Sequence, residues 1–281
     1  MGAETGGGLK TMVLISLLLR KGSAALNSEN FNHMKSTWLD CYSKAVMLSK
    51  PSMEKAYFTK LNKTLSYFDP KEVEDMLLSN CKKALLREPE VAAPAISHFF
   101  KQYANPTDSF AVSFLQIVST TIVSTNDDVR KHIADAIGAV ACHISDGTVL
   151  SKFIEQLFDL FKSNSTKLPQ RTSVATAILY ACKNVETVTN YEPVIAKFGA
   201  ALPAEANDVV LRLIWIAFAE WIVKVAEMPS SSLPILKKGI NSQGDTKSIS
   251  LRVAAYVFDK FGNVAVDSEI LKAANAVYQM L

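Results

Sequence analysis

Apolar residues recur three and four positions apart through four long runs of the chain. The runs read DDVRKHIADAIGAVACHI (127–144), LPQRTSVATAILYACKNV (168–185), DVVLRLIWIAFAEWIVKV (208–225) and SISLRVAAYVFDKFGNVA (248–265). This spacing follows the 3.6-residue turn of an α-helix and gathers the apolar side chains along one stripe. Near the start of each run stands an arginine: Arg130, Arg171, Arg212 and Arg252, separated by 41, 41 and 40 residues. A period near 40 with two helices per unit is that of HEAT or armadillo arrays, in which one unit cannot bury its apolar face alone. The pattern predicts an all-α chain, an α-solenoid of about six to seven helical hairpins of roughly 40 residues each.

Start and stop signals place the individual helices. The first two are expected at 9–21 and 29–49, followed by 53–68 after the Lys50-Pro51-Ser52 break. Asp69-Pro70 supplies a cap and a proline at the first helical position for 70–87, and Glu88-Pro89 does the same for 89–104. Pro94 implies a kink or a late start in that helix, because proline has no N–H to give to the ladder. Further helices are predicted at 108–123, 127–144 (capped by Asn126 and Asp127), 148–162, 189–202, 206–227, 230–241, 246–262 and 266–280. Residues 1–8 read as a flexible Gly-rich N-terminus and 9–281 as a single solenoid, a segment of a longer array. The apolar run at 273–281 is not the polar cap with which solenoids end.

Within each arginine helix the residues three and four positions on should fill the inner seam. They are Ile133 and Ala134, Val174 and Ala175, Trp215 and Ile216, and Ala255 and Tyr256. The four arginines themselves are expected to define the repeat structurally, each reaching an acid or a carbonyl of a neighbouring unit.

Composition narrows the function classes. Apolar residues make up 49% of the 281, enough for an extended core, and a net charge of +3 gives no general field for nucleic acid or membrane. Any anionic partner must meet a local patch. Lys82, Lys83 and Arg87, with Lys55, Lys60 and Lys63 on the preceding helix, form the one basic group that could meet RNA phosphate or an acidic protein. The alternative reading is that these cations complement a helix C-terminus and solvate an outer face.

Cys41, Cys81, Cys142 and Cys182 form two pairs 40 residues apart, so they read as reduced, buried, small apolar side chains in a reducing compartment. The stretch MVLISLLL (12–19) is too short to span a bilayer, Gly6 breaks a myristoylation motif, and the sequons at Asn62 and Asn164 carry no information without secretion.

No metalloprotease, P-loop, dinucleotide, nucleophile-elbow or kinase motif is present, and the acids Glu72, Glu74 and Asp75 fall where a helix dipole favours them. His132 and His143 are three helical turns apart, too far to share a metal, while His33 and His98 stand alone. The expectation is a chain that is not an enzyme, without cofactor, metal, membrane span or small-molecule substrate.

Three segments, LDCYSKAVMLSKPSMEKAYF (39–58), NCKKALLREPEVAAPAISHFF (80–100) and STNDDVRKHIADAIGAVACHISDGTVLSKFIEQLFDLF (124–161), together resemble the N-terminal third of the large GCN-type translational activators. The likeness extends over roughly residues 10–222. It implies a cytoplasmic HEAT-repeat scaffold that associates with ribosomes, through protein or rRNA, alongside other repeats of its parent. It further implies support for activating the initiation-factor-2α kinase in amino-acid starvation, with the kinase-docking region lying outside this segment. The other reading of such an array is a general adaptor or transport receptor that cradles protein cargo on its concave face.

Overall fold

The computed structural model describes residues 28–47, 64–65, 68–102, 106–262 and 270. Eleven α-helices lie in this part of the chain: α1 (Ser28–Met47), α2 (Pro70–Arg87), α3 (Pro89–Gln102), α4 (Asp108–Val118), α5 (Asp127–Ala141), α6 (Gly147–Ser163), α7 (Leu168–Asn184), α8 (Glu192–Ala201), α9 (Asp208–Val223), α10 (Ser232–Ile240) and α11 (Gly244–Phe261). A 3₁₀ turn, Leu202–Ala204, follows α8, and no strand occurs among the described residues. The helices expected at 9–21, 53–68 and 266–280 fall outside the described residues apart from Thr64, Leu65, Phe68 and Ile270.

Local chemistry sets the helix starts. Asp69 accepts from Lys71 N–H, Thr107 from Phe110 N–H, Asn126 from Asp128 and Val129 N–H, Asp146 from Thr148 and Val149 N–H, and Asn207 from Val210 N–H. Each answers one or two of the donors that a first helical turn leaves unpaired. Glu88 differs from expectation. It closes α2, its N–H donating to Ala84 C=O, and is the single residue between α2 and α3. Pro94 neither delays nor ends its helix: α3 runs from Pro89 through Pro94 to Gln102, with Ala92, Ala93, Ala95 and Ile96 buried around the proline. Tertiary packing of that alanine-rich turn outweighs the one lost ladder bond.

The helices stack in two layers, as an α-solenoid does. The odd-numbered helices α1, α3, α5, α7, α9 and α11 pack each against the next in one layer, and α2, α4, α6 and α8 do so in the other. Between the layers α6 packs on α7 and α10 on α11. One apolar cluster runs through the whole stack from Trp38 to Val257. Aromatic rings bridge its joints: Trp38 stacks on Tyr42 and Phe68, and Phe158, Phe198, Phe218 and Trp215 form an edge-to-face chain across α6, α8 and α9. Polar contacts join helices of the second layer, near their starts, to the loop that opens the next one. The Glu74 carboxylate accepts from Thr107 N–H and hydroxyl, and the Asp108 carboxylate accepts from the N–H groups of Ser145 and Asp146.

Burial gives the repeat a sharper register than the arginines do. Ala92, Ile133, Val174, Ile214 and Val253 are all buried, and so are Ile96, Ile137, Ile178, Phe218 and Val257. Both sets step through α3, α5, α7, α9 and α11 by 41, 41, 40 and 39 residues. Against this frame Arg130 and Arg171 share one slot, whose counterpart in α9 is Leu211 and in α11 is Ser250. Arg212 and Arg252 stand one and two residues past it. A shift of one residue turns a side chain by about 100° round the helix.

Candidate interaction surface

That rotation divides the four arginines into two kinds. Arg130 is 3% exposed. Its guanidinium donates from Nη1 to the Ser124 carbonyl (2.6 Å) and from Nε to Ser173 Oγ of α7 (3.0 Å), and its Nη2 pairs with Asp127. Arg171 repeats the first contact one unit on, Nη1 donating to the Ser165 carbonyl, while its Nη2 pairs with Glu205 at 3.1 Å. The Glu205 side chain is 3% exposed and also accepts from Asn207 N–H at 2.8 Å, so it holds the start of α9 to α7. Burial lowers the pKa of Arg130 by desolvation. Both arginines are staples between loop and helix and between one unit and the next.

Arg212 and Arg252 are exposed and make no hydrogen bond or ion pair with a described residue. They line a groove of about 530 Å³ between α9 and α11. The walls are two lines of side chains at spacings of four: Arg212, Ile216 and Glu220 on α9, and Ser248, Arg252 and Tyr256 on α11. Ile216 is 39% and Tyr256 48% exposed, two of the large apolar side chains that the stack leaves outside its core. Partial burial, and then the Glu220 carboxylate, raise the pKa of Tyr256. The seam expected from Trp215 with Ile216 and from Ala255 with Tyr256 is thereby corrected. Trp215 is buried, whereas Ile216, Ala255 and Tyr256 face outward, because the arginine drifts relative to the core register in α9 and α11.

The basic group expected on α2 is divided by helix geometry. Lys82, Lys83 and Arg87 are all exposed. Lys83 and Arg87, one turn apart, line a groove of about 490 Å³ between the end of α1, α2 and the start of α3, while Lys82 lies off that groove. Asp40, Lys44 and Glu88 share it, and Lys44 Nζ is engaged by Asp40. Lys55, Lys60 and Lys63 lie outside the described residues.

Among the described residues no three His, Cys, Asp or Glu side chains gather as metal ligands would, and no helix is long and apolar enough to cross a membrane. Cys81 and Cys182 are buried, and burial pushes the Cys81 thiol up to about 12 and the Cys182 thiol higher still. Cys41 and Cys142 depart from the buried reading: Cys41 on α1 is half-buried, and Cys142 caps the C-terminus of α5 and is exposed. Sequence reasoning also missed Glu205 and the α9–α11 groove. The one signal for the groove was Leu211, an apolar residue directly before Arg212 where the earlier units carry their arginine.

Comparison with known proteins finds a likeness over about half of the chain. Residues 35–168 match the family model of the N-terminal region of the stalled ribosome sensor GCN1. The human stalled ribosome sensor GCN1 is 23% identical over 168 residues, 59% of this chain, and the mouse protein of the same name is 24% identical over 147 residues, 51% of this chain. The matched stretch is 6% of the length of either relative. The likeness to the GCN1 N-terminal region thus takes in α1 to α6, and the α9–α11 groove lies beyond the residues that match the family model.

Proposed function

We propose that this chain is a non-catalytic scaffold segment of a GCN1-type translational regulator, working in the cytoplasm by associating with ribosomes. The observation that carries the reading is the GCN1 N-terminal match over α1 to α6, helices that pack together in the two-layer stack. Stacked helices joined by one continuous core hold distant surface groups at fixed separations, which is what docking on a large particle requires. In the parent protein the segment would help bring the initiation-factor-2α kinase under control of amino-acid supply, the kinase itself docking elsewhere.

On this reading Lys82, Lys83 and Arg87 meet rRNA phosphate or an acidic ribosomal protein. Removing a cation that neutralises a phosphate lowers both the affinity and its salt dependence. The experiment is sedimentation of the purified chain with ribosomes at low and moderate salt, beside the K82E/K83E/R87E variant. Salt-sensitive co-sedimentation of the parent that the variant loses is the expected result. Equal binding by both retains ribosome association and removes this patch. No co-sedimentation by a folded chain overturns the ribosome reading.

A further inference from the structure

We infer that the groove between α9 and α11 is a docking site for an amphipathic, acidic protein segment, which sets carboxylates on Arg212 and Arg252 and an apolar side chain between Ile216 and Tyr256. This goes beyond the ribosome reading and does not depend on it.

Three observations commit the groove to this occupant. The first is charge. Arg212 and Arg252 face one cleft, yet neither forms an ion pair with the acids Glu220 and Asp245 that share its lining. Among the described residues two guanidinium forks are therefore left without an acid, and each can take a carboxylate in bidentate fashion. The same two acids disfavour a nucleic acid. A phosphate backbone needs a run of cations, and Glu220 in the last turn of α9 and Asp245 in the first turn of α11 flank the arginines with opposite charge. A protein segment carries isolated carboxylates and has no such requirement.

The second observation is the exposed apolar pair. Ile216 stands on the α9 wall one turn after Arg212, and Tyr256 on the α11 wall one turn after Arg252. An apolar side chain buried between two flanking arginines is the arrangement of an interface anchor, with Tyr and Arg the residue types that most often carry binding energy. The third is size. A cleft of about 530 Å³ takes a few side chains and the backbone joining them, not a folded domain.

The register of the repeat explains how the site arises. In α5 and α7 the arginine occupies the buried slot and staples neighbouring units. In α9 that slot holds Leu211, 4% exposed, which packs without needing a polar partner. The following Arg212 is thereby released to the surface, and in α11 Ser250 fills the slot and Arg252 is released in the same way.

The test is selection of a displayed library of random dodecapeptides on the immobilised full chain, with binding of the selected peptides then measured by fluorescence anisotropy. The expected result is a consensus of Asp or Glu near Leu, Phe or Trp. Those peptides should bind at least tenfold more weakly to R212E/R252E and to Y256A, and equally well to K82E/K83E/R87E. Unchanged thermal melting of each variant verifies that the surface substitutions leave the stack intact. A consensus without acids, no selected binder, or equal binding to R212E/R252E overturns the proposal. Tight binding of single-stranded oligo-uridine RNA that is lost in R212E/R252E overturns it in favour of nucleic acid.

Discussion

Truncation of Arg130 is the most direct measure of what holds one unit to the next. The side chain reaches from α5 to the preceding loop at Ser124 and to α7 at Ser173, and is all but sealed from solvent. Its three contacts are not equivalent. Asp127 is 86% exposed and regains water when the arginine leaves, so that pair contributes at most about 1 kcal/mol. The Ser124 carbonyl and the Ser173 hydroxyl are partly buried and lose charge-assisted bonds, about 1.5–3 kcal/mol for a net bond to a charged group. With the loss of the apolar stem of Arg130, Arg130→Ala should destabilise the chain by about 3–4 kcal/mol.

Arg130→Leu installs the residue that α9 carries in the same slot, Leu211, and so keeps the packing while losing the bonds. Its expected cost is about 1–2 kcal/mol. The assay is urea unfolding followed by far-ultraviolet circular dichroism and by tryptophan fluorescence. Trp38 reports from α1, and Trp215 and Trp221 report from α9, on either side of the substitution. Because a stacked array couples only through neighbours, the two probes should separate in Arg130→Ala, where the joint between α5 and α7 fails first. A cost below about 0.5 kcal/mol for Arg130→Ala, or equal costs for the alanine and leucine variants, would refute the staple and the shared slot together.

Other perturbations probe single features. A methyl group added at Gly239 would lie 2.6 Å from the Trp215 ring and 2.7 Å from Ser250 Cβ, so Gly239→Ala should lower stability by about 1–3 kcal/mol through overpacking, read as a drop in Tm. Asn126→Ala removes the acceptor for Asp128 and Val129 N–H and the donor to the Glu90 carboxylate, and should cost about 1 kcal/mol in urea midpoint analysis, with Asn126→Ser, which keeps a capping oxygen, recovering part of it. In the native chain a thiol reagent should modify Cys142 ahead of Cys81 and Cys182, which react only after denaturant is added; peptide mapping reads the order, and early labelling of Cys182 would contradict its burial. Burial holds the pKa of His143 below its ordinary value of 6.5, so the unfolded chain binds this proton more readily than the folded one. Stability should therefore fall as pH drops through 6.5 toward the folded pKa. His143→Gln should flatten that part of the curve, measured from about pH 7.5 to about pH 5.5, above the ordinary carboxylate range.

The apolar periodicity and the capping residues of this chain determine its helices, because both act within one or two turns. Asp69 before Pro70 and Asn126 before Asp127 each open a helix where the sequence places one, and Asp146 and Asn207 cap helices that start within two residues of the expected 148 and 206. A period near 40 likewise determines a two-layer stack, since amphipathic hairpins of equal length have only one another to cover their apolar faces. Pro94 shows where local rules stop: its helix continues because neighbours pack around it, an energy that no local window contains.

The meaning of the arginines also belongs to the tertiary structure. Four arginines at nearly equal spacing look alike along the sequence, yet the core sets step by 41, 41, 40 and 39, and a drift of one or two residues carries a side chain from the seam to the surface. Only packing decides that register, through which residues meet the facing helices. It buries Arg130 between α5 and α7 and leaves Arg212 and Arg252 in an open groove beside Ile216 and Tyr256. The same rotation separates Lys82 from Lys83 and Arg87, a patch contiguous in sequence that helix geometry divides between two faces.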